Sequence, residues 1–278
     1  MKIVIPAGGK GTRLLPITKS VAKEMLPLTD RPLLQYLVEE AVTCGISEAI
    51  VVRSPEKKNM EAHFARDKKL EKLLGPQKIN FLDSLKTLEN KIKIRFAVQK
   101  KPRGDGDALL CAKWKIGKKP FAIVFGDTLF DAKNPVLAKL MKLHTKTGAT
   151  VVGVKEVPQK DVSRFGIVAM EKDKNGLRIT DLVEKPSIAA APSCLALVGM
   201  YVVTGDIWKY LKRARKNHTG ELRLADGLIQ MLKEKPIYAC PIKEDWLDTG
   251  DYAGYFRANL RLAKRRPELR KILREEMK

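Results

Sequence analysis

Residues 8–24 of this 278-residue chain group glycines and cations as a phosphate site would. Gly8, Gly9 and Gly11 permit a backbone path that a Cβ would block. A glycine turn leaving a buried strand exposes N–H groups that can converge on phosphate oxygens. Lys10, Arg13, Lys19 and Lys23 follow, with no acid before Glu24. The two commoner glycine motifs are absent: Gly9 and Gly11 are followed at the third glycine position by Leu14, and Lys10 is followed by Gly11 rather than Ser or Thr. A second glycine-rich stretch, Gly104-Asp105-Gly106-Asp107, comes after Gln99, Lys100, Lys101 and Arg103. A third feature is Asp127, which closes the apolar run Phe121-Ala122-Ile123-Val124-Phe125. An acid there is often a turn or cap residue; beside two phosphate-type loops it reads as a metal ligand.

The elements that must hold these residues alternate strand and helix. Ile3, Val4 and Ile5 form a short apolar strand, and Leu33, Leu34, Leu37, Val38, Ala41 and Val42 recur at helical spacing, with Gly45 at the C-terminal end. A strand over 46–53 then completes a βαβ crossover, which implies a parallel sheet. A basic helix is expected over 56–74, a less regular insertion over 75–91 with a short helix near 79–88, and strands over 92–98 and 121–125. Helices over 107–115 and 135–147 and a strand over 149–154 follow. The rhythm then shortens and becomes more antiparallel, with strands over 166–171, 177–183 and 196–203 and a turn at Asn175-Gly176. Helices over 205–215 and 223–234, a strand over 237–242 and a basic helical tail complete the chain. The fold class is α/β: a doubly wound, mostly parallel mixed sheet of Rossmann-like type with an added β-rich portion. It reads as a single domain, with a nucleotide-binding core over 1–150 plus 237–250, a substrate portion over 151–236 and a tail over 251–278.

Composition narrows the class. Forty-four per cent hydrophobic residues with six per cent aromatic is a globular composition rich in aliphatic packing. No apolar run is long enough to span a membrane, and Pro6 and the glycines interrupt any leader-like segment. The four cysteines form no C-x-x-C pair and read as buried hydrophobes of a reducing compartment, hence the cytoplasm. The formal charge of +22 gathers in 53–103 and 257–278. Few aromatics are interleaved there, so it reads as a lysine-rich solvated surface and not a specific nucleic-acid face.

The chain resembles the sugar-1-phosphate nucleotidyltransferases. It carries Gly11-Thr12-Arg13, Pro16-Ile17-Thr18 and Lys23-Glu24-Met25-Leu26-Pro27. In the same order come Gly126-Asp127, Phe165-Gly166-Ile167-Val168, Glu184-Lys185-Pro186, Gly199-Met200-Tyr201 and Glu221 to Asp226 (ELRLAD), ending in Trp246-Leu247-Asp248-Thr249-Gly250. Thr18-Lys19, the KEMLP segment and Asp30 to Tyr36 (DRPLLQY) are similar to the bacterial UTP–glucose-1-phosphate uridylyltransferases. Gly8-Gly9-Lys10 resembles the thymidylyltransferase branch, Ala22 stands where the uridylyltransferases usually have proline, and Ala225 replaces the threonine of the family's E-x-x-L-T-D. The resemblance implies UTP and glucose 1-phosphate as substrates and UDP-glucose and pyrophosphate as products. It leaves as alternatives a thymidylyltransferase, another sugar, or a catalytically silent regulatory or RNA-binding relative.

The resemblance also implies roles. Ala7, Gly8, Gly9, Gly11 and Thr12 belong to the nucleotide site, with Arg13 and the loop backbone on the β- and γ-phosphates. Gln99 and Gly104 meet the pyrimidine. Lys23 neutralises the phosphates at the transfer point and Lys185 holds the sugar phosphate. Gly166, Glu184 and Gly199 lie at the sugar, and Asp127 and Asp248 hold Mg²⁺. Asp107, where uridylyltransferases often have histidine, is left unassigned. A homo-oligomer, dimer or tetramer, is expected.

Overall fold

Ile3, Val4 and Ile5 are all inaccessible to solvent because strand β1 (Lys2–Pro6) is covered on both faces. The structure is a computed structural model and describes residues 1–78, 82–214 and 220–276. After β1 come the short strands β2 (Pro27–Leu28) and β3 (Arg31–Pro32), then β4 (Glu48–Arg53), β5 (Lys93–Val98), β6 (Phe121–Val124) and β7 (Thr128–Asp131). The later strands are β8 (Thr150–Glu156), β9 (Gly166–Lys172), β10 (Leu177–Glu184), β11 (Leu195–Val203), β12 (Ile237–Pro241) and β13 (Asp245–Asp248). Nine of them form one sheet in the order β5-β4-β1-β6-β11-β8-β12-β10-β9. The half containing β5, β4, β1 and β6 is parallel, as the crossover pattern requires. β11 enters antiparallel between β6 and β8, while β8 and β12 run parallel. Strands of the expected substrate portion therefore continue the same sheet.

Alternation along the strands sends side chains to two cores. Ile3 and Ile5 pack with Leu34, Leu37 and Val38 of α1 (Leu33–Thr43) on one face, and this core takes in residues near the chain's end, Ala258 and Leu262. Val4, Ile50 and Ile123 point the other way, into a core that includes Leu109, Ala112, Ile207, Leu211 and Leu228. Helices on both faces make the sheet doubly wound, and they account for strands that read as unbroken apolar runs.

The bounds of three expected helices are corrected. The helix expected over 56–74 is two, α2 (Asn59–Phe64) and α3 (Lys68–Lys78). Ala65 is extended, and Asp67 Oδ1 accepts from the amides of Lys69 and Leu70, capping a new helix start. The helix expected near 79–88 is α4 (Asp83–Lys91), while residues 79–81 lie outside the described residues, as does residue 215 of the helix expected over 205–215. That second helix is observed over Ile207–Arg213. Strand β7 was not expected; it pairs with β13 in a separate two-stranded sheet that sets Asp248 opposite Thr128. The helix after the second glycine loop, α5, spans Asp105–Ile116, and Val136–Thr147 and Leu224–Leu232 are helical as anticipated.

Candidate active site

The order of strands reverses at β1, and the crevice at the carboxyl ends of β1 and β6 is where such sheets bind ligands. Two adjoining hollows meet there, of about 550 Å³ and about 290 Å³. Gly8, Gly9, Gly11, Thr12, Lys23 and Gln99 line the larger; Arg13, Gly166, Glu184, Lys185, Gly199 and Asp248 line the smaller. Gly104 and Asp127 line both, so the two are halves of one cleft. Ala7 stands apart from this set. It is buried, its amide donates to Val52 O at 2.7 Å and its carbonyl accepts from Lys57 Nζ at 2.9 Å, so its backbone groups hold the loop rather than face the cleft. Lys10 lines the larger hollow, and exposed Lys19 lines neither.

At the junction Lys23 Nζ donates to Asp127 Oδ2 at 2.6 Å. Burial would raise the Asp127 carboxyl, but the charge and hydrogen bond of Lys23, aided by Arg13, hold it below the ordinary carboxylate range. Burial opposes the charge on Lys23, and Asp127 and Glu24 outweigh it, so the ammonium is held above its usual value. Asp248 is raised by burial and by the charge of Asp127, against Gly250 N–H, Arg13 and Arg164. Thr249 ties the two aspartates' segments together, its amide and hydroxyl donating to Asp127 O at 3.1 and 3.0 Å. Asp127 and Asp248 are a hard, oxygen-only donor pair whose mutual repulsion a divalent cation would relieve. Among the described residues no trio of His, Cys, Asp or Glu could hold a metal alone. Such an ion would complete its shell with oxygens of a bound substrate or of water.

Further residues build the site. Lys57 reaches under the first loop to Ala7 O, Gly9 O at 2.5 Å and Glu24 Oε2 at 3.0 Å, joining the glycine turn to the Lys23 segment. Thr18 Oγ1 donates to Gly11 O at 2.8 Å, which gives the threonine of Pro16-Ile17-Thr18 its work. Asp105 Oδ1 accepts from Leu224 N at 2.6 Å, and burial lifts its carboxyl to about 6. Gly104 has φ 95°, and a Cβ there would lie 2.2 Å from Leu222 O, so only glycine fits. Arg223 reaches Glu184 Oε1 at 3.3 Å, and Arg164 lies 3.4 Å from Asp248 Oδ2. The ELRLAD segment was the available signal for Leu222 and Arg223; Lys57 and Arg164 had none, because long-range contacts alone give them a role. Lys185, in the left-handed region at φ 51°, follows Glu184 where β10 ends, and its amide donates to Phe165 O at 2.9 Å.

A doubly wound sheet with a cationic glycine loop, an acid pair and a second, carboxylate-bearing hollow defines a phosphate-transfer enzyme. Residues 2–265 match the nucleotidyl transferase family, and the chain belongs to it. It is 37% identical over 279 residues to UTP–glucose-1-phosphate uridylyltransferase 1 of Staphylococcus saprophyticus, covering 100% of this chain and 97% of that protein. Among solved structures, a UDP-glucose pyrophosphorylase complexed with UDP-glucose is 35% identical with a TM-score of 0.87, covering 95% of this chain and 99% of that one. UTP-bound UGPase from Acinetobacter baumannii is 31% identical with a TM-score of 0.87, over 99% and 98%. Members of the family generally work with a divalent metal. Among the described residues no helix is long and apolar enough to cross a membrane.

Proposed function

We propose that this enzyme transfers the uridylyl group of UTP to glucose 1-phosphate, forming UDP-glucose and pyrophosphate. The observation that carries it is the Lys23–Asp127 pair at the junction of the two half-clefts, where the α-phosphate and the sugar phosphate would meet. The nucleophile is a phosphate oxygen, largely ionised at neutral pH because its second pKa is near 6. No general base is required; what is required is positioning of two polyanions and stabilisation of charge on the α-phosphate and the leaving pyrophosphate.

The Gly8–Gly11 backbone and Arg13 would take the β- and γ-phosphates. Lys23 would shield the α-phosphate and Lys185 the sugar phosphate, while Glu184, held by Arg223, accepts from sugar hydroxyls beside Gly166 and Gly199. Gln99 and Gly104 bound the base. Asp127 and Asp248 would hold Mg²⁺, which when bound supplies positive charge to the triphosphate. The 37% identity with the Staphylococcus uridylyltransferase over the whole chain supports UTP and glucose as the pair. The four free cysteines support a reducing, cytoplasmic setting, and association of copies into a dimer or tetramer belongs to the same proposal.

A pyrophosphate-release panel tests it, pairing UTP, dTTP, CTP, ATP and GTP with several sugar 1-phosphates. UTP with glucose 1-phosphate should give the highest kcat/KM. A much higher value with dTTP, or no release from any pair, would refute it.

A further inference from the structure

Gln99 is buried, and both neighbours of its side-chain nitrogen are oxygen acceptors: Nε2 donates to Gly104 O at 2.9 Å and to Asp107 Oδ2 at 2.8 Å. A carbonyl and a carboxylate accept and cannot donate. The opposite amide orientation would set Oε1 against two oxygens, so the network itself decides which way the amide lies. Oε1 is thereby turned toward the first glycine loop, where a Cβ on Gly8 would lie 2.7 Å from it. Gly8 and Gln99 line the nucleotide half of the cleft, and Asp107, in the first turn of α5, does not.

We propose that Asp107 is a positioning residue that locks the Gln99 amide with its oxygen toward the base, so that the site selects a pyrimidine carrying a hydrogen on N3. The inference rests on the uridylyl-transfer reading. Uracil and thymine both offer N3–H to Oε1; cytosine presents a lone pair at N3, so two acceptors would face each other without a proton. Asp107 acts through Gln99, and its effect is on discrimination between bases rather than on the transfer step.

The experiment is kcat/KM for UTP, dTTP and CTP with glucose 1-phosphate, measured on the wild type, Asp107→Ala and Asp107→Asn, with melting temperatures alongside. Losing one hydrogen bond to a charged acceptor should lower the UTP-to-CTP ratio about tenfold in Asp107→Ala. The UTP-to-dTTP ratio should not move, because both bases carry the same N3–H. Asp107→Asn keeps an acceptor oxygen and should restore the ratio. If the alanine variant proves too unstable, Asp107→Leu fills a similar volume without an acceptor and should behave as alanine does. An unchanged UTP-to-CTP ratio in a variant that still turns over UTP, or equal losses for all three nucleotides, overturns the lock alone. No turnover of UTP by the wild type overturns the uridylyl-transfer reading and the lock with it.

Discussion

Replacing Lys57 by methionine keeps most of the side chain's length and removes an ammonium that joins the glycine turn to the Lys23 segment. In the native protein this buried group satisfies Ala7 O, Gly9 O and Glu24 Oε2. Glu24 is 0% exposed, so the variant leaves a buried carboxylate, and the carbonyls of Ala7 and Gly9, without this donor. Removing one partner of a buried pair costs about 3–5 kcal/mol. For a chain of this size that lowers Tm by roughly 6–20 °C. Because the glycine turn loses its brace, kcat/KM should fall about a hundredfold at temperatures where the variant is folded. The cost should also depend on pH. Burial already raises the Glu24 carboxyl, against the charges of Lys23 and Lys57, and removing Lys57 raises it further. A folded-state pKa above the unfolded value means that the native state binds the extra proton, so this group's contribution to stability falls as pH rises from the ordinary carboxylate range through the raised one. The deficit of Lys57→Met should therefore shrink on acidification. Adding Glu24→Gln removes the orphaned charge, and a coupling of about 2 kcal/mol should appear in the double-mutant cycle. Thermal melts at two pH values with steady-state kinetics test this. A loss below about 1 kcal/mol, or strictly additive variants, would refute it.

On the proposed metal role, Asp127→Asn and Asp248→Asn should each reduce kcat by about a hundred- to thousandfold while nucleotide affinity changes less, and should combine non-additively because both would act on one ion; normal turnover with a lowered Tm would make them loop anchors instead. Lys23→Ala should show a similar kcat loss without a changed magnesium requirement, read from magnesium titrations of initial rate. In the tail, Arg265 pairs with Asp131 and Arg266 with Asp30 at 2.6 Å, both partly exposed. Neutralising both should leave kcat/KM within about threefold and cost about 1 kcal/mol or less per pair; loss of activity would make the tail part of the site.

The sequence is informative about this site wherever a residue type is required locally. Gly8, Gly9, Gly11, Gly104, Lys23, Asp127 and Asp248 stand in short motifs, and all come to one cleft. Lys57 is different, since nothing near it in sequence distinguishes a buried strap from a solvated lysine. Its role comes from contacts with Ala7, Gly9 and Glu24, all far from it in the chain. β7 is four residues long and is a strand because β13 pairs with it, a contact more than a hundred residues away. The break at residues 65–67 was readable in principle, since Asp67 before a periodic run is a helix-start signal that the continuous basic pattern masked. The shortened strand rhythm after residue 154 signals antiparallel pairing for β11, but its insertion beside β6 has no local signature, because an apolar strand reads alike whatever its neighbour.

Attack of a sugar phosphate oxygen on the α-phosphorus of UTP can be followed atom by atom. With glucose 1-phosphate labelled by ¹⁸O in the non-bridging phosphate oxygens, mass spectrometry of the products shows which P–O bond forms. All of the label should appear in UDP-glucose, bridging oxygen included, and none in pyrophosphate. Label in pyrophosphate, or consumption of UTP without labelled UDP-glucose, would contradict uridylyl transfer at this site.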